Sequence, residues 1–295
     1  DVGTAVDARA GGAPVNARQR SSEMPDLRVL RVADLLLHEQ HDAQRSDPLA
    51  QRIVSDGVLK NPPIVAPVDG GPPFVVLDGA NRVTAASALG LVHVVAQVVD
   101  YDDPALALDT WHHLVCGFPR DRFDALVEQV VGVRLEPTDV MHARALVARR
   151  EALAFVVHPD GRAYAVGAAG DLHERTARLN ALVDIYRSHG RICRVRTDHI
   201  DDLLSWHDDV TALVVFPRYE PAEIVDLARV GARLPAGITR HLIPHRALRV
   251  NFPVSILRDD RSAQSKNDWL MDWMKTKLQA KEVRSYQEST VLFDE

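Results

Sequence analysis

Phe74-Val75-Val76-Leu77-Asp78-Gly79-Ala80-Asn81-Arg82 is the stretch on which the reading of this chain turns. Its apolar first half predicts a buried strand ending at Leu77. Gly79 lets the backbone bend sharply without a Cβ clash. A helix rich in small residues is predicted from about residue 83 to 89, with Gly90 ending it. A second buried strand is predicted over residues 92–99. Upstream, Asn61-Pro62-Pro63 opens an extended run over residues 64–67, and Asp69-Gly70-Gly71 is a turn signal. Before that, residues 27–37 predict a strand running into a turn. Asp47 is a candidate cap for a helix that holds Leu49 and Ile53 and ends at Gly57. Strand, glycine turn, helix and strand make one compact α/β unit.

The rest of the chain also reads as α/β. Helices are predicted over residues 105–115, 122–131, 138–150, 172–187, 220–230 and 267–278. Residues 154–157 and 163–166 flank a hairpin turn, and strands are predicted over 192–195, 213–216 and 248–252. Residues 234–245 read as a Pro/Gly-rich loop. The expected class is mixed α/β in three parts. These are a disordered extension over residues 1–26, a first domain over 27–103 and a second α/β domain over 104–295. The linker falls in Asp100-Tyr101-Asp102-Asp103-Pro104.

Composition narrows the function. The 295 residues carry 35 basic and 41 acidic side chains, a formal charge of −6. A general nucleic-acid coat would need a basic surface, so DNA is not the expected partner. Two distant cysteines, Cys116 and Cys193, exclude a thiolate zinc finger and a disulfide scaffold. They fit a reducing, cytoplasmic setting. No apolar run approaches the ~18 residues a membrane span needs. Residues 1–20 lack an apolar core and do not read as a secretory signal.

Three local signals carry chemistry. At Asp78 to Arg82, free helix-start N–H groups and the Arg82 fork suit a phosphate. A structural ion pair between Asp78 and Arg82 explains the same residues. At Leu37-His38-Glu39-Gln40-His41-Asp42, polar residues follow an apolar strand. Glu39 there is a candidate general base or magnesium ligand, or simply part of a solvated turn. The two histidines are three apart, so this is no HExxH zinc motif. At Pro235-Ala236-Gly237-Ile238-Thr239-Arg240-His241, a hydroxyl, a guanidinium and an imidazole stand in series. They could receive a small carboxylate, or form a plain surface loop.

Together these segments resemble the ParB/sulfiredoxin superfamily. The residues that carry the resemblance are Leu37-His38-Glu39, Arg45, Leu49, residues 59–65 and residues 76–82. ParB proper has a Gly-Glu-Arg-Arg box and a following helix-turn-helix. Here the box reads Asp78-Gly79-Ala80-Asn81-Arg82, and no convincing helix-turn-helix follows. The box, the 235–244 loop, Val250-Asn251-Phe252-Pro253 and the ending 284–295 look like the free L-serine kinases of this fold, in which some members carry histidines where Ala80 and Asn81 stand. The resemblance implies transfer of a phosphoryl group from ATP or ADP, with Mg2+, to free L-serine. The product, O-phospho-L-serine, would feed amino-acid or specialised-metabolite biosynthesis. Glu39 would be the base, with Asp78 beside it in catalysis and both on the metal. Gly79, Ala80, Asn81, Arg82, Arg45 and His38 would hold nucleotide. Asn61, Trp111, Thr239, Arg240 and His241 would hold the amino acid. A homodimer stays open. The other reading is a ParB-like, nucleotide-binding (CTP or ATP) DNA-binding regulator.

Overall fold

The computed structural model describes residues 24–285. Most of the expected N-terminal extension and of the 284–295 ending lies outside these residues. Asp26, expected in the extension, instead opens β1 (Asp26–Arg31). A 3-10 turn at Val32–Asp34 leads to β2 (Leu35–Leu37). Helix α1 (Ala43–Asp56) starts earlier than Asp47 would place it. Asp42 is its cap, accepting from the Gln44 N–H at 3.1 Å, and Gly57 at φ 66° ends it. Then come β3 (Val58–Leu59), β4 (Ile64–Val68), β5 (Gly71–Asp78), α2 (Ala80–Ala88) and β6 (His93–Val98). Five of these strands form one sheet in the order β1-β6-β4-β5-β2.

The next stretch corrects an expectation. Residues 105–115, expected to be helical with Trp111 on the helix, instead form β7 (Ala107–Thr110) and β8 (His112–Cys116), with Trp111 between them. All five residues of β8 are buried, and a strand buried on both faces shows no alternation to distinguish it from a buried helix. There follow α3 (Arg120–Glu128), β9 (Arg134–Thr138), α4 (Val140–Ala148), β10 (Ala152–Val157), β11 (Ala163–Gly167) and α5 (Leu172–Arg187). Helix α4 is capped by Asp139 rather than Thr138. Helix α5 keeps its expected bounds because Asp171 and Glu174 form a complete capping box. Then come β12 (Arg191–Val195), α6 (Asp201–Leu204), β13 (Val210–Val215) and α7 (Pro221–Val230). The second sheet is antiparallel throughout, in the order β12-β8-β13-β10-β11-β9.

The final segment folds back. The expected 234–245 loop contains β14 (Thr239–Leu242), which pairs with β7 so that Thr239 faces Thr110 and Arg240 faces Asp109. Of the strand expected over 248–252, only Phe252 is extended in pairing, in β15 (Phe252–Pro253) against β3. Helices α8 (Val254–Arg258) and α9 (Ala263–Gln279) are the last elements among the described residues. Asn267 of α9 exchanges hydrogen bonds with the Val29 backbone, at 2.8 and 2.9 Å, and so covers the edge strand β1.

The first sheet is buried on both faces. Ile64, Ala66, Val68, Val75 and Leu77 point toward α3, α5 and α7, where Phe123, Leu182 and Leu227 sit in the same cluster. Val65, Phe74 and Val76 point the other way, toward α2 and the returning Phe252, Leu257 and Leu270. This alternation is the period of two that a pleated strand requires. It leaves the C-terminal ends of β2 and β5 side by side, because those strands run parallel with Leu37 opposite Val76.

Candidate active site

Those parallel strand ends open onto a cavity of about 730 Å³. This is ample for a small ligand of the nucleotide size class. All the site residues expected from sequence line it except Asn61. Asn61 lies behind the cavity wall: its carbonyl accepts from Arg82 at 3.2 Å and its side-chain oxygen from the Arg249 N–H at 2.8 Å.

On one side stands the turn from β5 to α2. Gly79 has φ 102°, and a Cβ there would come within 3.0 Å of Pro63 and 3.1 Å of the Arg82 guanidinium carbon. Glycine is therefore required both for the dihedral angle and for the close approach. The start of α2 has no side-chain cap, so the Ala80 and Asn81 N–H groups are left for an anion, while the Arg82 N–H donates to the Gly79 carbonyl at 2.9 Å. Arg82 is anchored by the Pro62 carbonyl at 2.6 Å and reaches the Asp78 carboxylate at 3.1 Å. Arg246 reaches the same oxygen at 2.8 Å. Burial alone would raise the Asp78 carboxyl; the Arg82 and Arg246 charges outweigh it and hold the group below the usual carboxylate range. The Asn81 side-chain oxygen is turned to the Asp42 N–H at 2.9 Å, which ties α2 to the start of α1. Arg45, on the exposed side of α1, lies 3.7 Å from Asp42 at the cavity rim.

Across the cavity stands Glu39. Its backbone is fixed first. Leu234 donates to the His38 carbonyl and accepts from the Gln40 N–H, each at 2.8 Å, so Glu39 is bracketed by a strand-like bridge. Its carboxylate is fixed second. One oxygen accepts from the Thr239 N–H and the Thr239 hydroxyl, both at 2.6 Å, and the other accepts from the Gly237 N–H at 2.9 Å. A carboxylate offers about four lone-pair sites. Three are taken by the loop, and the fourth, on Oε2, remains.

His38 is buried, and both its ring nitrogens are used inside the protein. The Val76 carbonyl can only accept, so Nδ1 donates to it at 2.8 Å, while Nε2 lies 2.9 Å from the Thr239 hydroxyl. Burial lowers its pKa, against the opposing pull of Glu39. It acts as a strut under Thr239.

Trp111, Arg240 and His241 form the third wall. The Trp111 N–H donates to the Ile238 carbonyl at 2.7 Å. The Arg240 guanidinium lies 4.7 Å over the Trp111 ring and 3.8 Å from Asp109. The His241 Nε2 meets the Tyr101 hydroxyl at 2.8 Å. Arg240 Nη1 and His241 Nδ1 are buried without any hydrogen-bond partner. Such orphaned atoms are uncommon in folded proteins.

The structure adds residues that the sequence reading missed: Arg194 and Arg246 line the cavity, while Tyr101 and Asp109 support it from behind through His241 and Arg240. Trp206, by contrast, is exposed and does not line the cavity.

No family model matches the chain. Curated relatives do. An "ATP-dependent L-serine kinase" of Staphylothermus marinus is 26% identical over 239 residues, covering 78% of this chain and 90% of that protein. The "ATP-dependent L-serine kinase SbnI" of Staphylococcus aureus is 25% identical over 251 residues, covering 82% and 88%. Among solved structures, a "free serine kinase in complex with AMP" superposes with TM-score 0.68 at 16% identity, covering 80% of this chain and 95% of that one. SbnI with a C-terminal truncation gives TM-score 0.64 at 22% identity, covering 86% and 97%. The protein is thus a mixed α/β chain with the fold of the free serine kinases. The sequence relatives named above are both described as ATP-dependent L-serine kinases, and this chain resembles them over most of its length.

Proposed function

We propose that this protein transfers the terminal phosphoryl group of ATP to the hydroxyl of free L-serine, giving O-phospho-L-serine. The observation that carries the reading is a single cavity with three unlike walls. An anion-receptive helix start faces an immobilised carboxylate, and orphaned guanidinium and imidazole nitrogens lie beside them. The names of the curated relatives support ATP as donor.

Serine's hydroxyl is a weak nucleophile at neutral pH. Glu39 accepts its proton through the remaining lone pair of Oε2. Held by three hydrogen bonds, the carboxylate need not reorganise as it does so. The hydroxyl oxygen then bonds to the phosphorus, and the bond from phosphorus to the nucleoside diphosphate breaks. Little covalent work is asked of the protein, and positioning and charge do most of it. The α2 N–H groups and Arg82 hold the donor phosphates. Arg240, with Thr239 and His241, receives the amino acid, its carboxylate on the guanidinium, and Trp111 walls it in. In this reading residues 27–103 hold the nucleotide and residues 104–295 complete the amino-acid site.

Magnesium deserves a separate test against the residues. Among the described residues no group of three His, Cys, Asp or Glu side chains gathers around one point. Glu39 is engaged by three donors on both oxygens, whereas Arg82 and Arg246 both meet Asp78 through Oδ2, which leaves the other Asp78 oxygen for a cation. Magnesium binds through one or two carboxylates plus substrate phosphates and water, and the residues fit that mode. The ion would offset phosphate charge.

The test is product analysis by mass spectrometry with magnesium, L-serine and, separately, ATP, ADP or CTP. Serine-dependent O-phosphoserine with ATP is expected. No phosphoserine with any donor overturns the reading. CTP hydrolysis without serine would in that case point to the nucleotide-switched regulator.

A further inference from the structure

Six arginines line the cavity: Arg45, Arg52, Arg82, Arg194, Arg240 and Arg246. Four of them have an aspartate within 4 Å. Arg82 and Arg246 share Asp78 at 3.1 and 2.8 Å, Arg45 has Asp42 at 3.7 Å, and Arg240 has Asp109 at 3.8 Å. Arg52 and Arg194 have none among the described residues. Arg52 lies on the exposed face of α1. Arg194 lies beside the base.

Arg194 comes from β12, the edge strand of the second sheet, where it faces His113 of β8. Its guanidinium rests on Gly237, where a Cβ would collide with it. Gly237 has φ 74°, a backbone conformation that favours glycine. The Gly237 N–H is the donor to Glu39 Oε2. The guanidinium therefore stands over the residue that holds the reacting oxygen of the base. Its own hydrogen bonding is weak: one contact to the Ala236 carbonyl at 3.5 Å. Burial, and then the charge of Arg45, lower its pKa, while Glu39 and Asp42 oppose them only in part. A guanidinium with five donors, crowded by a like charge and without an ion-pair partner, is set up for an anion.

We propose that Arg194 is a catalytic residue that binds the phosphoryl group in transit to the serine hydroxyl, and then the phosphate of the product. The proposal rests on the kinase reading above. In the step, the serine Oγ–P bond forms and the P–O bond to the nucleoside diphosphate breaks. The serine proton passes to Glu39. The charge on the equatorial phosphoryl oxygens falls to Arg194, while Arg82 and Arg246 remain with Asp78 at the donor side. A planar fork matches two phosphoryl oxygens, which a lysine cannot do.

The experiment compares wild type with Arg194→Gln and Arg194→Lys. For Arg194→Gln, kcat should fall about 10²-fold or more, as for loss of one pre-aimed transition-state donor. KM for serine should stay within about threefold. Arg194→Lys should recover part of the loss, and added guanidinium salt should partly restore Arg194→Gln. Calorimetry supplies a readout that a packing role would not move: O-phosphoserine affinity should drop about tenfold or more while L-serine affinity holds. Wild-type kcat or unchanged phosphoserine affinity in a folded Arg194→Gln protein overturns the assignment to Arg194 alone. A wild-type protein that makes no phosphoserine overturns the kinase reading with it.

Discussion

Glu39→Gln is the most informative substitution because the structure fixes what each atom of the side chain must do. The carboxylate accepts three hydrogen bonds, two on one oxygen and one on the other. Glutamine keeps one acceptor oxygen. That oxygen will stay with Thr239, where it satisfies two donors. Its amide nitrogen then meets the Gly237 N–H, donor against donor. Leaving that N–H unsatisfied at a half-buried site costs about 1–3 kcal/mol of stability. The chemical loss is larger. Removing a general base lowers turnover about 10²–10⁴-fold, which at 1.36 kcal/mol per decade is about 3–5 kcal/mol of barrier. Nucleotide affinity should move little, since the phosphate cradle stands on the opposite wall. The assay pairs O-phosphoserine formation with thermal unfolding and nucleotide titration. A folded Glu39→Gln protein with turnover within about threefold of wild type would refute the base assignment and the lone-pair argument behind it.

Other outcomes follow from the same geometry. Trp111→Ala removes the ring beneath Arg240; loss of a cation–π contact of about 1–2 kcal/mol should raise the serine KM about 5–30-fold and leave the nucleotide KM in place. His241 is pushed down to about 3, first by burial and then by His38, so it is neutral in the folded protein at neutral pH. The unfolded chain binds its proton near the usual 6.5, so stability falls as pH drops from there toward 3. Melting temperatures across that range should fall less steeply for His241→Asn than for wild type. Asp78 has the depressed pKa of a carboxylate paired with Arg82 and Arg246. Its contribution is present above the unfolded-state pKa and is lost as pH falls through the folded one, so Asp78→Asn should flatten the stability profile below about pH 4.

The sequence by itself determined the features whose causes are local. Gly79 between an apolar strand and a small-residue helix identified the β5–α2 turn, because only glycine meets both the φ angle and the contact with Pro63. The helix predicted over residues 172–187 forms as α5, its start held by a local capping box that the structure shows at Asp171 and Glu174. Glu39, Asp78, Arg82, Thr239 and Arg240 stood out because carboxylates, guanidiniums and hydroxyls cluster at strand ends and in a glycine loop.

Only the tertiary structure decided the rest. The stretch at 105–115 has no internal signal for strand over helix. It becomes β7 and β8 because β14 and the second sheet supply its hydrogen-bond partners from distant parts of the chain. The loop at 237–241 gains a strand for the same reason. His38, expected beside the nucleotide, is turned inward because the Val76 carbonyl and the Thr239 hydroxyl claim its nitrogens. Arg194 and Arg246 sit in no motif, and their place at the cavity comes from sheet order and from the returning C-terminal segment. Local sequence sets dihedral angles and caps, but a charge finds its counter-charge through space. For that reason the chemistry at Glu39 was legible one residue at a time, and the field around it was not.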